Sequence, residues 1–388
     1  MLGRRKKRNK RGRSAARLIF RRRGKRPGRP RTRKRRHART KRLPAKRTFG
    51  GERPGFGLRN AEFWRRSAYE AGLAAGQSAV RDGAAEEART DAGRRWREWN
   101  ERHRLHRLSW DLYGEAAEAF VKGYAEATKA KLETYIPLPS EVSVAAIVSV
   151  MNEEETLPGL LRQLDRLPLA EKIFVVNGSS DASFSILRSL SDGIVVHYAE
   201  ALGHDVGRAI GAKLADSDIL LFVDGDIVIP AERLVPFIQM VADGYAIALN
   251  DITPYLGSFE RWDHVTVMKA MLNRLLARPD LKANSLTAVP HAISREAANR
   301  IGMRTLAVPP LAQFTAIQLG LKIGTAGSVD VITANKSRRD NTGERNAVGR
   351  LIIGDHLEAL SAAIAQRGVR LGYADTIRRR EWAGGVSA

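Results

Sequence analysis

The strongest constraint on this chain is an alternation that begins at Val142. Five short, almost wholly apolar runs are spaced along it: "VSVAAIVSV" (142–150), "KIFVV" (172–176), "GIVVHY" (193–198), "DILLFV" (218–223) and "YAIALN" (245–250). Between them, "ETLPGLLRQLDRL", "DASFSILRSL", "VGRAIGAKLA" and "ERLVPFIQMVA" carry apolar residues at helical spacing. Strands that are apolar on both faces and separated by helices require a mostly parallel sheet covered on both sides. The predicted class is α/β. In such open sheets ligands gather outside the carboxyl ends of the strands, so the residues there are read first.

Each of the first four strands ends in a polar cluster: "MNEEE" (Met151–Glu155), "NGSSD" (Asn177–Asp181), "EALGHDVGRAIGA" (Glu200–Ala212) and "DGD" (Asp224–Asp226). Taken singly, each has an ordinary structural explanation. Acids are favoured in the first turn of a helix, Asn-Gly is a turn, and Asp181 is a natural N-cap. Four such clusters in order on one sheet edge are harder to explain as turns.

The last of them raises an electrostatic question. Two carboxylates a few ångströms apart repel by several kcal/mol at an effective dielectric of about 20. A hard dication removes that cost, and Mg²⁺ or Mn²⁺ combines one or two carboxylates with phosphate oxygens. Gly225 between the acids would let a diphosphate approach the backbone. Arg208 and the helix expected from Val206 would add positive potential. The cluster reads as a site for a metal–diphosphate complex.

The four-part order resembles family 2 of the GT-A glycosyltransferases. That family places "NEE" after its first strand, a "DDGSTD"-like turn after the second, a "GxGxARNxG"-like helix start after the third and D-x-D after the fourth. The corresponding residues here are Asn152-Glu153-Glu154, Val176-Asn177-Gly178-Ser179-Ser180-Asp181, Gly207-Arg208-Ala209-Ile210-Gly211 and Asp224-Gly225-Asp226. "TAVPHAISREAANRIG" (287–302) is similar to the strand and helix on the family's acceptor side. The resemblance implies a GT-A (Rossmann-like) domain over residues 140–366. It implies hexosyl-type transfer from a nucleotide-diphosphate sugar, dependent on Mn²⁺ or Mg²⁺. Asn152, Glu153, Glu154, Asn177, Asp181, Arg208 and Asp224 would hold the nucleotide sugar, and Asp224 and Asp226 the metal.

The sequence departs from that pattern in places. Val176 and Asn177 replace the two acids of the second turn, and Ala312-Gln313 stands where inverting members carry the Glu-Asp pair that supplies a base. Glutamine cannot accept a proton at neutral pH. A base must then come from elsewhere, with Asp251, just past the fifth strand, the candidate catalytic base, or a retaining mechanism needs none; retention and inversion are both left open. His356 and His291 are candidates for the downstream metal ligand that some retaining relatives add, with His356 taken forward. Lys336, Arg338 and Arg339 would lie on a loop able to close over phosphates. The "QxxRW" of processive membrane synthases is absent.

Composition matters mainly at the flanks. Residues 1–50 contain 25 Lys and Arg and no acid, whereas the remaining 338 residues hold 41 basic and 42 acidic side chains. The formal charge of +24 therefore belongs to the tail. Residues 1–55 cannot offset their own ordering entropy and are expected to be disordered, serving as a tether to an anionic polymer or membrane surface. Residues 56–138, rich in Ala and Glu, are expected to form a helical linker or subdomain in which Trp96, Trp99, Leu105, Leu108 and Leu112 share a face. Residues 367–388 are expected to be a C-terminal tail. With no cysteine and no apolar run long enough to span a bilayer, the expected location is cytoplasmic, or peripheral on an anionic surface. The alternative function is a catalytically silent protein of this fold that binds an anionic polymer through the tail. A nucleotidyltransferase would instead need a glycine-rich basic loop after the first strand, where "MNEEET" stands.

Overall fold

The computed structural model describes residues 58–83, 87–107, 109–132, 134–333 and 346–378. The basic tail, Leu108, and the loop carrying Lys336, Arg338 and Arg339 lie outside the described residues.

Seven strands form one sheet: β1 (Val144–Val150), β2 (Glu171–Asn177), β3 (Ile194–Tyr198), β4 (Ile219–Asp224), β5 (Ile247–Leu249), β6 (His291–Ser294) and β7 (Ile323–Thr325). Their order is β3-β2-β1-β4-β6-β5-β7. The pairs β1–β2, β2–β3, β1–β4 and β5–β7 are parallel, while β6 runs antiparallel to both β4 and β5. The alternation from Val142 predicts the mostly parallel sheet correctly. The antiparallel insertion of β6 comes from long-range pairing, which periodicity does not encode.

Helices cover both faces. On one, α4 (Leu157–Leu164), α5 (Ser183–Leu190) and α7 (Ala231–Ala242) bury Leu157, Leu160, Leu187 and Leu234 against alternate residues of the strands, such as Val148 and Leu221. On the other, α6 (Val206–Leu214), α9 (Arg295–Ile301) and α10 (Pro309–Gln318) cover Ile147, Val175 and Phe222. Two other helices, α8 (His264–Leu275) and α11 (Ala347–Arg367), pack together around Leu272, Leu276, Phe314, Ala359 and Ala363.

The N-terminal helices α1 (Leu58–Arg81), α2 (Ala88–His103) and α3 (Trp110–Thr128) join the first of these cores. Trp96 is completely buried, stacks on Trp99 and donates its indole N–H to Tyr113 Oη at 2.9 Å. Tyr113 in turn donates to the carbonyl of Pro137 at 2.6 Å, which ties the helices to the segment leading into β1. Helices α1 and α3 cross so closely that a Cβ on Gly72 would strike the Phe120 carbonyl, and one on Gly123 the Tyr69 carbonyl. His103 packs its ring on Trp64 and Trp99, and His106 pairs with the Asn100 amide at 3.0 Å. Among the described residues neither histidine belongs to a group of three His, Asp or Glu side chains that could hold a metal.

Candidate active site

The register of the sheet brings the strand-end clusters together. Ser149 of β1 stands opposite Asp224 of β4, and Val150 opposite Val176 of β2. Val176 is fully buried within the strand, so the position where the resemblance has an acid is here part of the core.

The loop after β1 is stitched to the loop after β2 by reciprocal hydrogen bonds. Asn152, at φ +59°, donates its amide N–H to Ser179 Oγ (3.1 Å), and its side-chain oxygen accepts from Ser180 N–H (2.8 Å). Glu154 N–H donates to Asp181 Oδ2 (3.0 Å), and Glu154 Oε2 accepts from Ala182 N–H (2.8 Å). Glu153 N–H donates to Ser183 Oγ (2.8 Å), and the Glu153 side chain is buried. Burial pushes the Asp181 carboxyl up, but hydrogen bonds from Ser183 and the Glu154 amide outweigh it and hold it below the usual carboxylate range.

Asn177 extends the stitching to the loop after β3: its oxygen accepts from Leu202 N–H (2.6 Å) and its amide donates to the Gly203 carbonyl (2.8 Å). The loop after β4 is tied in by Thr156, whose hydroxyl donates to the Gly225 carbonyl (2.6 Å). Gly225 N–H donates to the Ser149 carbonyl (2.8 Å). A Cβ on Gly225 would lie 3.1 Å from that carbonyl oxygen, 3.2 Å from Val150 and 3.4 Å from Glu153. The glycine between the two acids is therefore needed for the fit against β1. The approach of a diphosphate at this glycine is a separate matter that the packing against β1 does not decide.

The electrostatic expectation for Asp224 and Asp226 is modified. Arg208, on the first turn of α6, is almost completely buried. Its Nη2 lies 3.2 Å from Asp224 Oδ2, its Nη1 lies 2.9 Å from Asp205 Oδ1, and Nη1 also donates to the Leu286 carbonyl at 3.1 Å. Burial opposes the charge on Arg208. Asp205, Asp224 and Asp226 together overcome that and raise its pKa above the usual guanidinium value. A protein cation thus offsets part of the repulsion that a dication was expected to relieve alone. Among the described residues, no three His, Asp or Glu side chains are gathered into a metal-binding group. Two carboxylates such as those of Asp224 and Asp226 would suit a dication that completes its shell with phosphate and water.

The two histidines are both held by backbone carbonyls. His356 is buried in α11 with Nδ1 2.7 Å from the Ile352 carbonyl, and burial pushes its pKa down to about 4. His291, in β6, stacks on Phe222 with Nδ1 3.1 Å from the Ala288 carbonyl; burial and the nearby Arg208 push it down to about 3. Both are neutral histidines hydrogen-bonded to backbone.

Asp251 belongs to a buried amide network that sequence reasoning did not foresee. Its Oδ1 accepts from Thr253 N–H (3.1 Å) and Asn284 Nδ2 (2.9 Å). Asn273 Nδ2 donates to the Asn284 and Lys282 carbonyls, each at 2.9 Å. Gln313 Nε2 donates to Asn273 Oδ1 at 2.7 Å, and Gln313 Oε1 accepts from Leu286 N–H at 2.9 Å. Leu286 is the residue whose carbonyl receives Arg208. Burial raises the Asp251 carboxyl, but the Thr253 and Asn284 hydrogen bonds and the charge of Lys282 hold it below the usual range. No local pattern marks these amides. A polar residue at a buried helical position, such as Gln313 in an otherwise apolar "LAVPPLAQF", was the available signal.

Comparison with known proteins follows the same residues. Residues 145–302 match the family described as Glycosyl transferase family 2. The 4,4'-diaponeurosporenoate glycosyltransferase of Staphylococcus haemolyticus is 29% identical over 133 residues, covering 32% of this chain and 36% of that protein. The dolichyl-phosphate hexose transferase of Haloferax volcanii is 26% identical over 109 residues, covering 28% of this chain and 47% of that protein. The chain thus spans less than half the length of these curated relatives. The crystal structure of glucosyl-3-phosphoglycerate synthase from Mycobacterium tuberculosis superposes with a TM-score of 0.44 at 19% identity, covering 61% of this chain and 82% of that one. By this match, residues 145–302 of the chain form a glycosyl transferase family 2 domain.

Proposed function

We propose that the chain transfers a sugar of the hexose type from a nucleoside-diphosphate sugar to an acceptor hydroxyl, with Mg²⁺ or Mn²⁺ as cofactor. The observation that carries this reading is the position of Asp224 and Asp226: at the carboxyl end of β4, beside a buried arginine, among loops from β1, β2 and β3 that hydrogen-bond to one another. The names of the two relatives, both sugar transferases, agree with it.

In this reading Asp224 and Asp226 hold the dication, which when bound neutralises charge on the departing diphosphate. Arg208 fixes Asp224 and adds positive potential where the diphosphate lies. Asn152, Glu153, Glu154, Asn177 and Asp181 shape the nucleoside pocket. Four of them are already hydrogen-bonded to neighbouring strand-end loops, which pre-organises the pocket for the nucleotide. The acceptor oxygen attacks the anomeric carbon as the bond to the diphosphate oxygen breaks. The acceptor's proton passes to Asp251, which its hydrogen bonds keep ionised at neutral pH. His356 is not gathered with Asp224 and Asp226 into one group among the described residues and is left out of the metal site in this scheme.

Calorimetric titration with UDP and with GDP, with and without Mn²⁺, tests the proposal. One nucleotide is expected to bind in a metal-dependent way, and Asp226→Ala to abolish the metal dependence. Binding of neither nucleotide, or unchanged binding by Asp226→Ala, overturns it.

A further inference from the structure

At one end of the N-terminal helices, aromatic and cationic side chains gather. Phe63, on the second turn of α1, is 61% exposed. Its ring meets Trp64 edge-on at 5.2 Å, and Trp64 meets His103, the last residue of α2, also at 5.2 Å. These ring contacts bring the start of α1 to the end of α2. Arg102, Arg104 and Arg107 stand exposed there, and among the described residues their guanidinium groups make no ion pair and no hydrogen bond. Burial, with the charges of Arg107 and Arg104, holds His106 below the usual imidazole range against the pull of Asp243. Residues 58–66 and 101–110 together carry six arginines and two glutamates. Residues 1–50, with their 25 Lys and Arg and no acid, lead in sequence into α1.

Exposed charges away from packed features change stability little, so the fold does not account for these arginines. Three of them beside a largely exposed phenylalanine make a surface that is cationic and apolar at once. An anionic bilayer answers both properties. Its headgroups attract each Lys or Arg held near the surface, and an aromatic ring settles at the headgroup level. Nucleic acid also offers phosphates, but single strands are held by stacking successive bases on several free ring faces. Here one ring is largely exposed, while Trp64 is half-buried and Trp99 buried. The tail repeats the pairing of charge with apolar side chains, in Leu18-Ile19-Phe20 between Arg17 and Arg21. Such a triplet makes no phosphate contact, whereas its burial in a bilayer interface is favourable.

We propose that the Phe63 end of α1 and the end of α2 with Arg102, Arg104 and Arg107 dock on an anionic phospholipid surface, a folded contact additional to the charge of residues 1–50. The inference is independent of the donor reading, because every residue in it lies outside the 145–302 family match.

The test sediments the full chain with vesicles of phosphatidylglycerol mixed with phosphatidylcholine, at constant ionic strength. A triple variant, Arg102→Gln with Arg104→Gln and Arg107→Gln, is compared with a control of equal charge. The control replaces exposed arginines elsewhere: Arg188→Gln with Arg274→Gln and Arg304→Gln. The basic tail is common to both. The first variant is expected to partition about tenfold more weakly than wild type, and the control to stay near wild type. Both urea midpoints are expected to match wild type, since the replaced side chains are exposed. Phe63→Trp is expected to lose more emission than wild type on vesicles whose phosphatidylglycerol carries brominated acyl chains. Equal partition by the two triple variants overturns the proposal and leaves the binding to the tail alone. So does a Phe63→Trp emission that the bromines do not quench. Unchanged vesicle binding by the first variant, with loss of its binding to a single-stranded oligonucleotide, overturns it in favour of a nucleic-acid partner. Failure of wild type to bind the vesicles overturns it outright.

Discussion

Arg208 Nη2 lies 3.2 Å from Asp224 Oδ2 while the same guanidinium lies 2.9 Å from Asp205. One buried cation therefore joins the start of α6 to the end of β4 and serves two carboxylates. Arg208→Met would keep much of the volume and leave both acids without that cation. Removing one partner of a buried ion pair typically costs about 3–5 kcal/mol. A loss of that size in urea unfolding is expected, together with loss of UDP or GDP binding. A variant as stable as wild type would show that the arginine is not what holds the two acids in place.

Gln313 gives a second prediction because its two ends do different jobs. Its oxygen takes the Leu286 amide and its nitrogen supplies Asn273 Oδ1, while the Asn273 nitrogen is committed to two carbonyls. Gln313→Glu would put back an acid of the kind the family carries in this region, but it would set a carboxylate oxygen against Asn273 Oδ1. Asn273 cannot turn over without abandoning both carbonyls. The expected outcome is destabilisation of about 1–3 kcal/mol, the usual cost of a spoiled buried hydrogen bond, with no gain in transfer. Increased turnover by Gln313→Glu would show that this position can still serve as the base.

In the proposed scheme Asp251 acts in transfer and takes no part in nucleotide binding. Asp251→Asn keeps the size of the side chain and is expected to leave UDP or GDP affinity within about twofold, while turnover falls by about 10²-fold or more, as for loss of a general base. The split between binding and rate is the measurement. A parallel loss of both would reduce Asp251 to a structural anchor for the Thr253 turn and Asn284.

These residues also mark the limit of what the sequence can convey. The strands β1 to β5 and the helices between them were readable because an apolar run bounded by turn residues is a local signal. Asn152, Asn177, Asp181 and Asp224 could be singled out as candidates because the parallel strands β1 to β4 send their carboxyl ends to one edge. What each side chain touches there is decided by neighbours distant in sequence. Asn152 meets Ser180 and Arg208 meets Asp224 only after β1, β2 and β4 have paired. Lys269 and Asn273 lie four residues apart on a helix whose sequence looks like an ordinary amphipathic surface, and only burial distinguishes them.

The two buried histidines set the response to acid. His356 titrates at about 4 and His291 at about 3 in the folded protein, against about 6.5 in an unfolded chain. Below pH 6.5 the unfolded chain therefore binds more protons than the folded one, so stability falls as pH drops from about 6.5 toward 4. Asp355, the neighbour of His356 on α11, works in the opposite sense. Burial and the charges of Asp205 and Glu358 raise it to about 6, so the folded protein holds its proton longer than the unfolded chain does. Its contribution is fully present below about pH 4 and is lost as pH rises through 6. Urea midpoints measured from pH 4 to 8 separate the two effects. His356→Leu is expected to flatten the loss below pH 6.5, and Asp355→Asn to raise stability at pH 7 while changing it little at pH 4. If the acid limb keeps its slope in His356→Leu, proton uptake by this histidine is not what drives it.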